Sequence, residues 1–212
     1  GLADVYSAAV KAHGIKVTTV AAHEDGKADY SAEVSTLASA GGDAVAVIGY
    51  LDQGGKGIIQ GSLDSGAFDT FILSDGMIGD SLTDTFGKSL NKSFGSLPGS
   101  TGKGAGLFAK VAKAAGIDSS GPYTGESYDA AALIVLAMQA SGSADRGSIA
   151  KNVMAVANGP GKKIYPGQLK KALDLLAKGK AIDYEGATAV KFTKVGEHVG
   201  NFLEKEIKGG KF

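Results

Sequence analysis

Cysteine is absent from the 212 residues, which excludes disulfides, thiol nucleophiles and thiolate metal sites. Arginine is nearly absent as well: Arg146 is the only one among 22 basic residues, and phosphate grips usually rest on arginine forks. No charge sign prevails. The 22 acidic residues balance the basic ones, so no net field draws the chain to nucleic acid or to an anionic membrane. Long apolar runs are missing too, so the chain is not membrane-spanning. The longest run, Ala130 to Met138, is far short of the ~20 residues a span needs and reads as a buried helix. His13, His23 and His198 are scattered without a second histidine at ligand spacing, and there is no Gly-x-Ser-x-Gly elbow. The expectation is a binding protein rather than an enzyme, with no cofactor and no metal.

What is present is an alternation of helix and strand. Leu2, Val5, Ala9 and Val10 share one helical face, ended by Gly14, and Lys16 to Ala22 reads as a β-branched strand. Asp29 stands where an N-cap belongs, ahead of a helix burying Val34, Leu37 and Ala38 that Gly41-Gly42 stops. Ala44 to Tyr50 is continuously apolar, as a central parallel strand is. A helix over about Gly55 to Ser65 and a strand over Thr70 to Ser74 follow. This is the grammar of an open parallel α/β sheet with right-handed crossovers. A helix opens the chain with no strand before it, so we read Gly1 as a cut within a longer protein. Near Pro98 the grammar changes: Leu97 to Gly102 reads as a loop, then helices at about 104–115, 127–140, 145–157 and 167–177, and late strands at 187–193 and 200–207.

Two glycine-rich stretches invite phosphate chemistry. Gly55-Lys56-Gly57-Ile58-Ile59-Gln60-Gly61 opens a helix after a strand, and Asp75 ends the next strand, where a dinucleotide fold keeps its ribose acid. The third glycine falls one place late, Leu51 to Gly54 separates the strand from the glycines, and Asp52 would repel phosphate. Tight turning and a helix start explain the same residues. Gly99 to Gly104 lacks the leading glycine and the Ser/Thr of a P-loop. His23-Glu24-Asp25, at the end of a strand, is placed to touch a ligand, with a solvated polar loop as the plainer reading. Binding is better supported, because ligands of open parallel sheets sit beyond the carboxyl ends of the strands. Two neighbouring strands end in Gly49-Tyr50 and Ser74-Asp75-Gly76. A carboxylate there pairs with a ligand ammonium, a tyrosine covers its apolar part, and glycines admit it to backbone donors. A turn cap at Asp75 and a rim aromatic at Tyr50 are the plain alternatives.

Six stretches in this order resemble one family. They are Gly1-Leu2-Ala3-Asp4-Val5-Tyr6-Ser7, Asp29-Tyr30-Ser31-Ala32-Glu33, Val47-Ile48-Gly49-Tyr50, Leu73-Ser74-Asp75-Gly76, Ser120-Gly121-Pro122-Tyr123 and Tyr128-Asp129-Ala130-Ala131. The family is the branched-chain amino acid and amide binding proteins of ABC importers, with the type I periplasmic-binding fold. Alphaproteobacterial members are also similar at Lys163 to Gly167 and Tyr184 to Ala189. The resemblance implies two Rossmann-like parallel-sheet lobes joined by hinge crossings: residues 1–98 as the main part of lobe two, 99–195 as the returning part of lobe one, and 196–212 as a tail crossing back. Most of lobe one is then absent. It further implies that Tyr50 contacts the ligand, that Asp75 pairs with its α-ammonium and that Tyr123 packs on its side chain, with Gly49 and Gly76 beside them. The family's acid is often glutamate, so the reach of Asp75 is shorter.

The implied function is capture of an amino acid, branched-chain or similar, or an amide in the periplasm, by closure of the lobes. The implied partner is an ABC permease in the inner membrane, after removal of a signal peptide from the precursor. The 212 residues alone are expected to bind weakly or not at all. One rival is the ligand-sensing core of a regulator or receptor with the same fold. The other is an NAD-dependent dehydrogenase using the Gly55 loop.

Overall fold

Short apolar runs build the first sheet. β1 (Val45–Val47) pairs in parallel with β2 (Phe71–Leu73), and β2 in parallel with β3 (Phe94–Pro98). β6 (Phe202–Glu206), from the far end of the chain, completes the order β1-β2-β3-β6. Parallel neighbours require crossovers, supplied by α3 (Lys56–Ser65) between β1 and β2 and by α4 (Asp80–Phe86) between β2 and β3. Val45, Val47, Phe71, Leu73, Ile58, Ile59, Leu82 and Ile207 are buried, which accounts for the apolar character of these segments. A buried serine stitches the sheet: the Ser93 hydroxyl accepts from Phe71 N–H at 3.0 Å, while the Ser93 carbonyl accepts from Ile207 N–H at 3.0 Å.

The computed structural model describes residues 1–212, and they divide into two units: Gly1–Leu97 with Glu204–Phe212, and Pro98–Leu203. The first unit begins with α1 (Leu2–Ala12) and α2 (Ser31–Ala40). Between them the expected strand at Lys16–Ala22 does not form. Ile15 to Glu24 carries no ladder hydrogen bond; Ile15 N–H returns to the Val10 carbonyl and the Thr18 hydroxyl donates to Gly41 O at 2.8 Å. A β-branched run supplies the propensity, but a strand exists only where a neighbour completes its ladder. The expected apolar face of α1 is likewise uncovered, with Leu2 and Val5 exposed. Asp29 sits one residue outside the cap position, which Tyr30 takes, and its Oδ1 accepts from Ser31 N–H at 3.0 Å.

The second unit holds α5 (Lys103–Ala114), α6 (Thr124–Ser141), α7 (Arg146–Ala157), β4 (Lys162–Ile164), α8 (Leu169–Leu176) and β5 (Ile182–Tyr184), with β4 and β5 parallel. Leu133, Leu136, Val156, Ile164, Ile182, Tyr184 and Val190 form its core. Asp145 caps α7 by accepting from Ser148 N–H at 2.9 Å. Three expectations fail here. α6 is not buried all round: Ile134 and Val135 are 48% and 46% exposed, because only one side of the helix meets the core. Ala187–Thr193 forms no ladder strand: a turn runs to Ala189, at φ 58°, and Phe192 makes an isolated bridge to His198. Leu97 and Pro98 close β3, so the loop begins at Gly99. β4 and β5 are absent from the sequence reading; three-residue strands between lysines and glycines show no period to detect.

Candidate functional site

β1 and β2 run side by side in register, Val47 against Leu73, so their carboxyl ends open on the same edge. After β1 come Gly49 and Tyr50, then a π-helical turn over Leu51–Gly55, in which Gln53 N–H and Gly55 N–H both donate to the Tyr50 carbonyl. After β2 come Ser74 and a 3₁₀ turn over Asp75–Met77, closed by Met77 N–H on the Ser74 carbonyl at 2.9 Å. The Ser74 hydroxyl joins the two ends: it accepts from Gly49 N–H at 3.3 Å and donates to Gly49 O at 3.4 Å. A Cβ on Gly76 would lie 2.8 Å from the Tyr50 ring and collide with the Gly49 carbonyl, so glycine alone permits this approach. Tyr50 is 63% exposed and Asp75 half-buried. Gly49, Tyr50, Asp75 and Gly76 thus lie together at one sheet edge.

Of the two readings of its loop, His23 departs from the plainer, solvated one. Its ring is half-buried against Gly49 and Gly54 and stacks edge-on with Tyr30 at a centroid distance of 5.9 Å. The His23 Nε2 atom is buried without a hydrogen-bond partner. Tyr30 is held by its hydroxyl, which accepts from Lys27 N–H at 3.0 Å and donates to Glu24 O at 3.1 Å. His23 therefore brings a polar atom to the Gly49 end of β1. A histidine closing a β-branched run was the available signal, and its meaning depended on a fold not readable from that run.

The Gly55 loop is spoken for by protein side chains. A Cβ at Gly54 would lie 2.6 Å from the Tyr30 hydroxyl, one at Gly57 2.5 Å from the Tyr30 ring, and one at Gly61 3.2 Å from Val34. Asp52 pairs with Lys56 at 2.8 Å over the helix start. These glycines let α3 press on α2, and the arrangement leaves no cradle for a pyrophosphate.

Tyr123, in the second unit, precedes α6 with φ 61° and ψ 9°, a left-handed conformation rare for an aromatic residue. Such strain persists only where surroundings fix it. The Thr124 hydroxyl donates to the Ser119 and Gly121 carbonyls, each at 3.0 Å, and Ser127 N–H returns to Tyr123 O at 2.9 Å. Tyr123 remains 39% exposed. The same helix holds a buried hub that sequence reasoning missed. The Asp129 carboxylate accepts from the Tyr184 hydroxyl, Ala187 N–H, Thr188 N–H and the Thr188 hydroxyl, all at 2.8 Å. Burial, with the Asp129 charge beside it, pushes the Tyr184 phenol far above its usual value. This hub locks the 185–190 turn to α6 and exposes no group to a ligand. No set of three His, Asp or Glu side chains is placed to hold a metal ion, and no helix is long and apolar enough to cross a membrane.

Two solved structures are similar in fold. A leucine binding protein LivK from Thermotoga maritima superposes with a TM-score of 0.63 over 88% of this chain and 47% of its own, at 19% identity. The chain has the type I periplasmic-binding fold. A periplasmic binding protein type 1 from Bordetella pertussis carries the same fold, at a TM-score of 0.62 over 94% of this chain and 57% of its own, also at 19% identity. In sequence, 87 residues are 37% identical to the chemotactic signal transduction system substrate-binding protein BasB of Halobacterium salinarum. That match covers 41% of this chain and 21% of BasB, so the chain spans about half the length of the solved proteins and the match a fifth of that relative. No protein-family profile matches the chain. All three are described as binding proteins.

Proposed function

We propose that this chain is the ligand-capturing part of a periplasmic solute-binding protein that serves an ABC importer and carries an amino acid, branched-chain or similar, or an amide. The observation that carries the reading is the meeting of Tyr50, Asp75 and Gly76 at the carboxyl ends of β1 and β2. Asp75 supplies the negative partner for an α-ammonium, Tyr50 an aromatic cover and a hydroxyl, and Gly49 and Gly76 a close backbone approach. His23 adds a buried nitrogen beside Gly49. Tyr123 from the second unit is assigned to the ligand's side chain. The division into lobe two (1–98), lobe one (99–195) and tail (196–212) belongs to the same proposal, as does capture by closure of the lobes and presentation of the closed form to the permease.

The likeness to the leucine binding protein supports an amino-acid cargo. The likeness to BasB favours a second reading, delivery of the bound ligand to a chemosensory receptor. Calorimetric titration of the protein, as its host makes it, with a panel of amino acids and urea tests the shared premise. Saturable binding of an ammonium-bearing ligand is expected, and Asp75→Asn should weaken it about tenfold or more, the scale of a lost charge-assisted contact. Crosslinking in membranes then separates a permease partner from a receptor.

A further inference from the structure

We propose that the second unit carries an anion site, separate from the residues of the ligand reading, that takes a compact polyphosphate-type oxyanion. A cavity of about 330 Å³ is lined by Lys103, Lys162, Lys163, Tyr165, Gln168 and Lys171. Four lysines, all solvent-exposed, line one concavity in a chain whose formal net charge is zero. Only Lys163 has a carboxylate partner, Glu185; Lys103, Lys162 and Lys171 form no ion pair. Lys170, next in sequence, is neutralised by Asp174 at 2.8 Å and does not line the cavity. Three of these four charges are gathered here without a carboxylate partner, an arrangement that an external anion would relieve.

The backbone adds to the field. α5 begins at Lys103 and α8 at Leu169, so the positive ends of both helices meet the cavity, through Lys103 on one and the Gln168 cap and Lys171 on the other. Tyr165 forms one wall, with the Lys103 ammonium 4.5 Å from its ring centroid, which holds that charge at the mouth. The Gln168 side-chain oxygen accepts from Tyr165 N–H at 3.2 Å, leaving its NH₂ as a donor. The charged groups lining the cavity are all lysines. Point charges without a planar fork suit a tetrahedral phosphoryl group better than the bidentate pairing that marks carboxylate recognition by arginine. Scarcity of arginine removes the bidentate fork for phosphate as for carboxylate, so anion capture here rests on lysine point charges alone.

Inorganic pyrophosphate is the direct probe. Titrated into the ¹⁵N-labelled protein at constant ionic strength, it should shift the amides of residues 102–104, 162–165 and 168–171 saturably. Lys103→Gln with Lys171→Gln should raise its Kd about tenfold or more, whereas Lys178→Gln with Lys180→Gln should leave it unchanged. Citrate at the same charge should bind more weakly. Absence of saturation, equal loss in both double variants, or citrate binding as tightly as pyrophosphate would each overturn the proposal. Unchanged circular dichroism of the variants shows that a loss is not a loss of folding.

Discussion

Asp129 is the residue on which the second unit's turn geometry depends. A buried carboxylate is tolerated because four donors surround it, and each donor would be left unpaired without it. Asp129→Ala is therefore expected to cost about 3–5 kcal/mol in urea unfolding, and Tyr184→Phe, which removes one donor, about 1–2 kcal/mol. A Cβ on Gly186 would fall 2.5 Å from the Asp129 carboxyl carbon, at φ 61°, so Gly186→Ala belongs with the severe class. Tyr184 also sets an alkaline limit. Its folded pKa lies above the unfolded value of 10.0, so the folded state holds the phenolic proton more tightly and its stabilisation is complete below that pH. As pH rises past the unfolded value, stability falls by about 1.4 kcal/mol per unit from this group. Alkaline unfolding followed by circular dichroism should show this slope, and Tyr184→Phe should flatten it.

At the level of elements, the contrast between β2 and the 15–24 segment is a contrast between neighbours and none. β2 has a strand on both sides, whereas Ile15 to Glu24 has no ladder partner and exposes Ile15 and Val20. Hydrogen exchange followed by mass spectrometry should find the amides of 16–22 exchanged at the shortest times and those of Phe71–Leu73 among the slowest. α6 offers a second contrast. Leu136→Ala, at a fully buried position, should cost about 2–5 kcal/mol, while Val135→Lys on the exposed side should change stability by less than about 0.5 kcal/mol.

These elements also show what was legible beforehand. Val45–Val47 and Phe71–Leu73 were readable because they are apolar runs ended by glycine or a polar cluster, buried on one face and half-buried on the other. Helix stops at Gly14 and Gly41 were readable because the positive φ that follows each helix selects glycine. The false strand at Lys16–Ala22 and the false strand at Ala187–Thr193 had the right propensity and the wrong surroundings: one lacked a partner, the other was captured by Asp129. The site divided the same way. Tyr50 and Asp75 were readable as strand ends, but the role of Gly76 against the Gly49 carbonyl and of His23 against Gly49 and Gly54 depends on which segments the fold brings together.

At the scale of the whole molecule, the chain has one sheet whose last strand comes from its far end, so the first unit closes only when β6 docks beyond β3. In chain order the second unit is inserted between β3 and β6. On the reading proposed here, the edge at Tyr50 and Asp75 receives the cargo, while the lysine cavity of the second unit is free for a different, anionic ligand. The most direct measurement is calorimetry of the host-made protein with an amino-acid panel, comparing wild type with Asp75→Asn. The account predicts saturable binding of an ammonium-bearing amino acid or an amide, weakened about tenfold or more by the substitution while the thermal midpoint stays within a few degrees. Failure of every amino acid and amide to bind, or equal binding by Asp75→Asn, would contradict it.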